Sequence, residues 1–381
     1  MMQREQKKKQ ALENSVCFLE TKKMCVGYQK KVVLQDIGIG IGQGEILTII
    51  GPNGAGKSTI LKSIAGQLKL LGGTVYLEKE DLTKMSGEEL SKRMAVVFTQ
   101  KLKGELMTCE DVVATGRYPY TGRMGILSEK DHEAVAEAME LVDVTPIRDQ
   151  AFECISDGQR QRVMLARAIC QEPQIIILDE PTSFLDIRYK LEFLSVLQKL
   201  KEQKKLTVIM SLHELELAER ISDKILCVDG RDVVRLGTPE EIFRSGYMKE
   251  LFGIRTGNYD EENGVVELAP PKGEPKVFVI AGGGEGRSIF RKLQRKQIPF
   301  ATGILYENDL DYPVAKALAA QTVSAKAFEP VENEAVRQAK KLIDTCEKVI
   351  CNKEVFGTFE KANEALLLYA KEQGKADDRI R

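Results

Sequence analysis

Nine residues, Gly51-Pro52-Asn53-Gly54-Ala55-Gly56-Lys57-Ser58-Thr59, constrain this chain more than any other stretch of it. They match G-x-x-x-x-G-K-[ST], with the β-branched run Ile46–Ile50 before them and a helical pattern beginning near Lys57. A strand that breaks into a glycine-rich turn and re-enters a helix points successive backbone N–H groups, and the helix N-terminus, at one place. That place suits a phosphate. Lys57 is positioned to reach the β- and γ-phosphates of a nucleotide, and Ser58 to ligate Mg²⁺.

A second segment complements the first. Ile175-Ile176-Ile177-Leu178-Asp179-Glu180 is an apolar strand ending in two carboxylates, the form in which a buried strand delivers acids to the edge of a phosphate site. Asp179 is the candidate for the Mg²⁺ shell. Glu180, placed to polarise an attacking water, is the candidate general base. Together the two motifs define a P-loop NTPase, a class that also contains helicases and small GTPases.

The surrounding pattern extends the same architecture. Short apolar runs (Ile46–Ile50, Ala95–Phe98, Ile175–Leu178, Thr207–Ser211) alternate with amphipathic helical stretches up to about Phe252, which predicts an α/β sheet with parallel strands. In the helix expected from Ser128 to Val142, Ser128 and Asp131 form a capping box with Asp in place of Glu, and Val135, Ala138, Leu141 and Val142 recur on one face. At 381 residues the chain is long enough for two domains. The expected division is residues 16–255, a breaker-rich linker at 256–275 containing Gly257, Gly264 and Pro270-Pro271, and a second domain at 276–381.

Charge and cysteine usage exclude several classes. Lys plus Arg total 56 against 57 Asp plus Glu, so nothing in the net charge of −1 calls for a nucleic-acid partner or anionic lipid. The run Lys7, Lys8, Lys9 reads as a solvated tail. Eight scattered cysteines without a C-x-x-C pair, and only two histidines, lack the clustered ligands of a zinc or iron–sulfur site. The N-terminus has no apolar core of a signal peptide, and no apolar stretch approaches the ~20 residues that cross a bilayer. A cytoplasmic protein is expected, with any membrane work left to other chains.

The subclass comes from Ile155-Ser156-Asp157-Gly158-Gln159-Arg160-Gln161-Arg162-Val163, whose serine lies 23 positions before Asp179. Here the chain resembles the ABC ATPase family, in which Leu-Ser-Gly-Gly-Gln followed by Gln-Arg opens a helix at the same place. The resemblance implies a RecA-like parallel sheet core with an antiparallel β part and a helical subdomain, and ATP with Mg²⁺ as ligands. It implies a head-to-tail dimer in which Ser156, Gly158 and Gln159 of one subunit hold the γ-phosphate lying in the Gly51–Thr59 cradle of the other. By the same resemblance Tyr28 stacks on adenine, Gln100 reaches the Mg²⁺ and the attacking water, Asp186 closes the D-loop Ser183-Phe184-Leu185-Asp186, and His213 senses the γ-phosphate. Two residues depart from the family pattern: Asp157 replaces a signature glycine, with its side chain expected to point outward, and Thr99 replaces a proline before Gln100.

Val112-Val113-Ala114-Thr115-Gly116-Arg117-Tyr118-Pro119 is similar to the stretch after the Q-loop in ATPases of iron-siderophore, haem and cobalamin importers. That resemblance implies an integral-membrane permease and a substrate-binding protein as partners, with the chain peripheral on the inner face of the membrane. The competing reading is a soluble ABC ATPase that works on a macromolecule. Such proteins commonly carry paired cassettes, zinc modules or basic arms, and this sequence has none of them.

Beyond the linker, apolar runs at Val277–Ala281, Phe300–Tyr306, Thr322–Phe328 and Val349–Cys351 alternate with helical patterns near 287–296, 313–320, 333–345 and 359–372. Four βα units in succession predict a small doubly wound α/β domain. Ala281-Gly282-Gly283-Gly284-Glu285-Gly286 sits at its first strand-to-helix turn, where a backbone cradle for an anion and a plain tight turn are both open readings. Glu307 and Asp309, after the next strand, are candidates for contact with a polar ligand. A ligand-sensing module and a dimerisation module both remain open for this domain.

Overall fold

A computed structural model describes residues 17–98, 106–122, 125–244, 246–261 and 264–376. The chain divides into two compact units between Tyr247 and Met248. Gln100 and Thr99 lie outside the described residues.

The N-terminal unit is built on a six-stranded sheet in the order Val233–Gly237, Lys224–Val228, Ile46–Ile50, Thr207–Ser211, Ile175–Asp179, Met94–Val97. All neighbours pair in parallel except the edge strand Val233–Gly237. Ile46–Ile50, Ile175–Asp179 and Thr207–Ser211 are buried at every position. This is why they read as unbroken apolar runs rather than alternating ones: helices cover both faces of such a sheet. The order sets Thr207–Ser211 between the strand that feeds the glycine loop and the strand that ends in Asp179.

A second, antiparallel sheet places Leu19–Tyr28 between Lys31–Ile37 and Gly72–Leu77. One apolar cluster joins the two sheets, with Leu19, Met24 and Leu34 from the antiparallel part and Leu47, Ile177 and Ile209 from the parallel core. Ile60 and Leu61 of the helix Lys57–Ile64 lie within it. Each such wholly buried side chain contributes about 2 kcal/mol, which fixes the helix whose first turn carries the phosphate loop. A helical part contains Cys109–Ala114, Glu129–Leu141 and Asp157–Cys170 packed on one another. The capping box at Ser128 and Asp131 is present.

The C-terminal unit has a four-stranded parallel sheet ordered Gln321–Ala325, Phe300–Tyr306, Val277–Ile280, Lys348–Cys351. Separate apolar clusters cover its two faces, one with Leu342, Ile343 and Leu366, the other with Ile289, Phe290 and Val314, so the sheet is doubly wound. In chain order the strands run 3-2-1-4, and the direction of winding reverses between the first and fourth. The span expected as linker, 256–275, contains a hairpin of Asn258–Asp260 and Val265–Glu267. Glu267 of this hairpin is paired with Arg291, and Met248 donates its N–H to Glu261. These bonds tie the segment into the C-terminal unit.

Candidate functional site

The glycine loop takes the curled form its sequence requires. Gly51, Gly54 and Gly56 have φ of 150°, 80° and 96°. A Cβ at Gly51 would stand 2.0 Å from the Val228 carbonyl oxygen, so no other residue fits the start of the turn. Among the described residues, no side-chain acceptor is bonded to the N–H groups of Gly54, Gly56, Lys57 or Ser58. Lys57 is buried, and its ammonium donates to the carbonyls of Gly51 (2.8 Å) and Pro52 (3.0 Å). Burial holds its pKa below the ordinary lysine value, against the opposing pull of Glu180 and Asp179.

Two strands, Ile175–Asp179 and Thr207–Ser211, deliver the acids, the hydroxyl and the histidine that face this loop. Ser58 Oγ donates to Asp179 Oδ1 at 3.0 Å, bringing a hydroxyl and a carboxylate together as hard oxygen donors. Ser211 donates to the same Asp179 oxygen at 2.8 Å and accepts the Glu180 N–H at 2.9 Å. Glu180 has a left-handed backbone (φ 50°), a conformation that costs a non-glycine residue free energy and recurs at functional turns. The His213 Nε2–H donates to Glu180 Oε1 at 2.6 Å, and Ser183 Oγ donates to its other oxygen at 3.3 Å. Lys57, Ser58, Asp179, Glu180 and His213 therefore converge in one place. Tyr28, half exposed at the end of its strand, accepts from Thr59 Oγ1 at 3.4 Å and so lies beside the same loop.

Ser156, Gly158 and Gln159 are elsewhere. Ser156 caps the helix Asp157–Cys170 through a reciprocal pair of bonds with Gln159. Among the described residues, neither bonds to the phosphate loop. Asp157 is exposed and paired with Arg160. Asp186 caps the helix Ile187–Lys204 by accepting the Tyr189 N–H at 3.0 Å. Gly116 and Arg117 serve the packing of the helical part. A Cβ at Gly116 would meet the Arg167 carbonyl oxygen at 2.3 Å, and buried Arg117 pairs with Asp131 and Glu172, both at 2.7 Å. Hydrogen bonds from Ser128, reinforced by Arg117, hold Asp131 down at about 2.

Sequence reasoning missed Ser211, which joins both acids. Its only signal was a hydroxyl at the end of a strand predicted to be apolar. The glycine turn of the C-terminal unit differs from the anion cradle that was one of its two readings. Asp309 accepts the Gly283 N–H at 2.8 Å, and Asp311 accepts those of Gly286 (2.8 Å) and Arg287 (3.1 Å). The chain's own carboxylates occupy three of the donors that a phosphate would use. Asp311 is fully buried, and burial raises its pKa.

Fold and site together define a P-loop ATPase cassette. Residues 34–183 match the ABC transporter family, and residues 300–376 match the MJ0874 family. The chain is 42% identical over 289 residues to the uncharacterized ABC transporter ATP-binding protein MJ0873 of Methanocaldococcus jannaschii, covering 76% of this chain and 100% of that one. It is 34% identical over 236 residues to the iron(3+)-hydroxamate import ATP-binding protein FhuC of Bacillus subtilis, covering 62% and 88%. The dimeric, ADP- and phosphate-bound ATP-binding cassette MJ0796 matches with a TM-score of 0.52 at 26% identity, over 58% of this chain and 98% of that one. The chain belongs to the ABC transporter ATP-binding family, and it is an ATP-hydrolysing enzyme. Among its described residues no helix is long and apolar enough to cross a membrane.

Proposed function

We propose that the chain energises an importer of metal chelates of the iron-siderophore, haem or cobalamin type, working as a head-to-tail homodimer around two Mg-ATP. The observation that carries the reading is the convergence of Lys57, Ser58, Asp179, Glu180 and His213 on the glycine loop. The N–H groups of Gly51–Thr59 and the Lys57 ammonium hold the β- and γ-phosphates, with the Tyr28 ring on the adenine. Ser58 and Asp179 supply hard oxygen ligands, the donor set that Mg²⁺ prefers, with Gln100 as a further candidate. The ion, when bound, neutralises charge developing on the phosphate oxygens. Glu180 accepts a proton from the attacking water, and His213, now bonded to Glu180, moves to the γ-phosphate as ATP fills the site.

Ser156, Gly158 and Gln159 need a second copy to reach a phosphate, because their helix terminus faces none in its own chain. Asp186 stands at the same joint: Phe184 and Ile187 beside it are 62% and 68% exposed, apolar surface available to a partner. The likeness to a dimeric cassette and to an import ATP-binding protein supports both levels of the reading. The same reading places the chain on the inner face of the membrane, held by a permease that a substrate-binding protein loads. The test is co-expression with a polytopic permease of the iron-siderophore or cobalamin importer type, followed by reconstitution in vesicles. The expected result is a stable complex that accumulates ferric hydroxamate or cobalamin only with ATP. A chain that neither co-purifies with that protein nor changes its ATPase rate in its presence sinks the importer reading.

A further inference from the structure

The C-terminal unit carries a cavity that the nucleotide chemistry does not use. It encloses 420 Å³, within the range of small-molecule sites, and opens at the carboxyl ends of the four parallel strands. Each strand's following loop contributes: Gly283 after the first, Asp309 and Leu310 after the second, Phe328 after the third and Phe359 after the fourth. Open α/β sheets take their ligands at this edge, where the winding reverses. Phe328 and Phe359 are 90% and 79% exposed. With Tyr306, whose hydroxyl donates to the Phe359 carbonyl, they form an aromatic wall around a concave surface.

Charge selects what fits inside. Three N–H donors at the glycine turn, those of Gly283, Gly286 and Arg287, are already bonded to Asp309 and Asp311. The Lys353 ammonium is tied to the Gly282 carbonyl and to Glu360, and the Arg287 guanidinium to the Leu310 carbonyl. Loops 282–286, 307–311, 326–332 and 352–360 hold one, three, two and two carboxylates, eight in all, against two lysines. An anion would find those donors taken and would face the carboxylates of these loops, while the Asn308 amide, which also lines the cavity, can meet either charge through its NH₂ or its carbonyl. A cation would meet Asp309 and the faces of aromatic rings, which attract positive charge. We propose that the C-terminal unit binds an organic cation with an apolar body, its charged group against Asp309 and its body between Phe328, Phe359 and Tyr306.

Three probes sharing one ring test this: phenyltrimethylammonium, neutral phenol and phenyl phosphate, each titrated into the full chain with ADP filling the nucleotide site. Saturation-transfer NMR and calorimetry should show one saturable site for phenyltrimethylammonium, weaker binding of phenol and none of phenyl phosphate. Asp309→Asn keeps an acceptor for the Gly283 N–H but removes the charge, and Phe328→Ala removes a side chain that stands in solvent. Each should weaken the cation by about five- to tenfold while the thermal melting curve stays in place. Phenyl phosphate binding as well as the cation, failure of the cation to saturate at millimolar concentration, or indifference to both substitutions would overturn the proposal.

Discussion

Two glycine-rich turns, Gly51–Gly56 and Gly282–Gly286, occupy the same place in their respective sheets, between a buried parallel strand and a helix. In both a buried lysine rests on a carbonyl of the turn, Lys57 on Gly51 and Lys353 on Gly282. The difference lies in what meets the N–H groups. Around Gly51–Gly56 the nearby acids are engaged elsewhere: Asp179 is bonded to Ser58 and Ser211, and Glu180 to His213. Around Gly282–Gly286, Asp309 and Asp311 reach in and take three N–H donors. Glycine permits a turn to face an anion, and the rest of the chain decides whether the place is vacant or already filled.

The strongest way to break the contrast is Glu180→Gln. If all hydrolysis belongs to the first turn, turnover should fall by ~10²–10⁴ for the whole chain. ATP should stay bound and a nucleotide-loaded dimer should accumulate on gel filtration. Turnover equal to that of the wild type would remove Glu180 as the base. Lys57→Ala should weaken ATP by roughly 30–100-fold, the loss of charged hydrogen bonds made in a buried site. Calorimetry on this variant sharpens the comparison further: a residual stoichiometric site that maps to Gly282–Gly286 would show that the second turn opens for phosphate after all.

Much of this contrast was legible in the residues and part of it was not. The phosphate loop, the apolar strand ending in Asp179 and the helix 333–345 are local patterns, in which period and flanking residues settle the structure. The strands Phe300–Tyr306 and Thr207–Ser211 fall where the apolar runs placed them. Ser211 escaped notice because its role depends on register: it lies opposite Asp179 in the parallel pairing of two strands 28 or more residues apart. Asp309 and Asp311 were missed as plugs for the same reason, since their partners lie 24 to 26 residues earlier in the chain. The hairpin at 258–267 was hidden by its composition. Gly257, Asp260 and Gly264 read as linker residues, and the ion pair between Glu267 and Arg291 that anchors it joins residues 24 apart.

The smallest effect is also the most direct reading of the two turns, because each lysine reports its own surroundings. Burial strips the Lys57 ammonium of water, Asp179 and Glu180 offset only part of that loss, and its pKa lies below the ordinary value. Lys353 is also buried, yet its bond to Glu360 and the charges of Glu360, Glu285 and Asp309 outweigh burial and raise its pKa. The signs then differ. Lys57 becomes neutral on the acid side of the ordinary lysine range, so its contribution to ATP binding fades there as pH rises. Lys353 adds stability that is fully present below the unfolded value of about 10.4 and is lost as pH rises through its higher folded value. An NMR titration of ¹³C-methylated lysines should therefore show Lys57 titrating below the ordinary lysine range and Lys353 above it. ATP should move the Lys57 midpoint upward, because phosphate adds negative charge beside it, and leave Lys353 where it was. Coincident midpoints, or a Lys353 that follows ATP, would mean that the two turns differ less in charge than their hydrogen bonds imply.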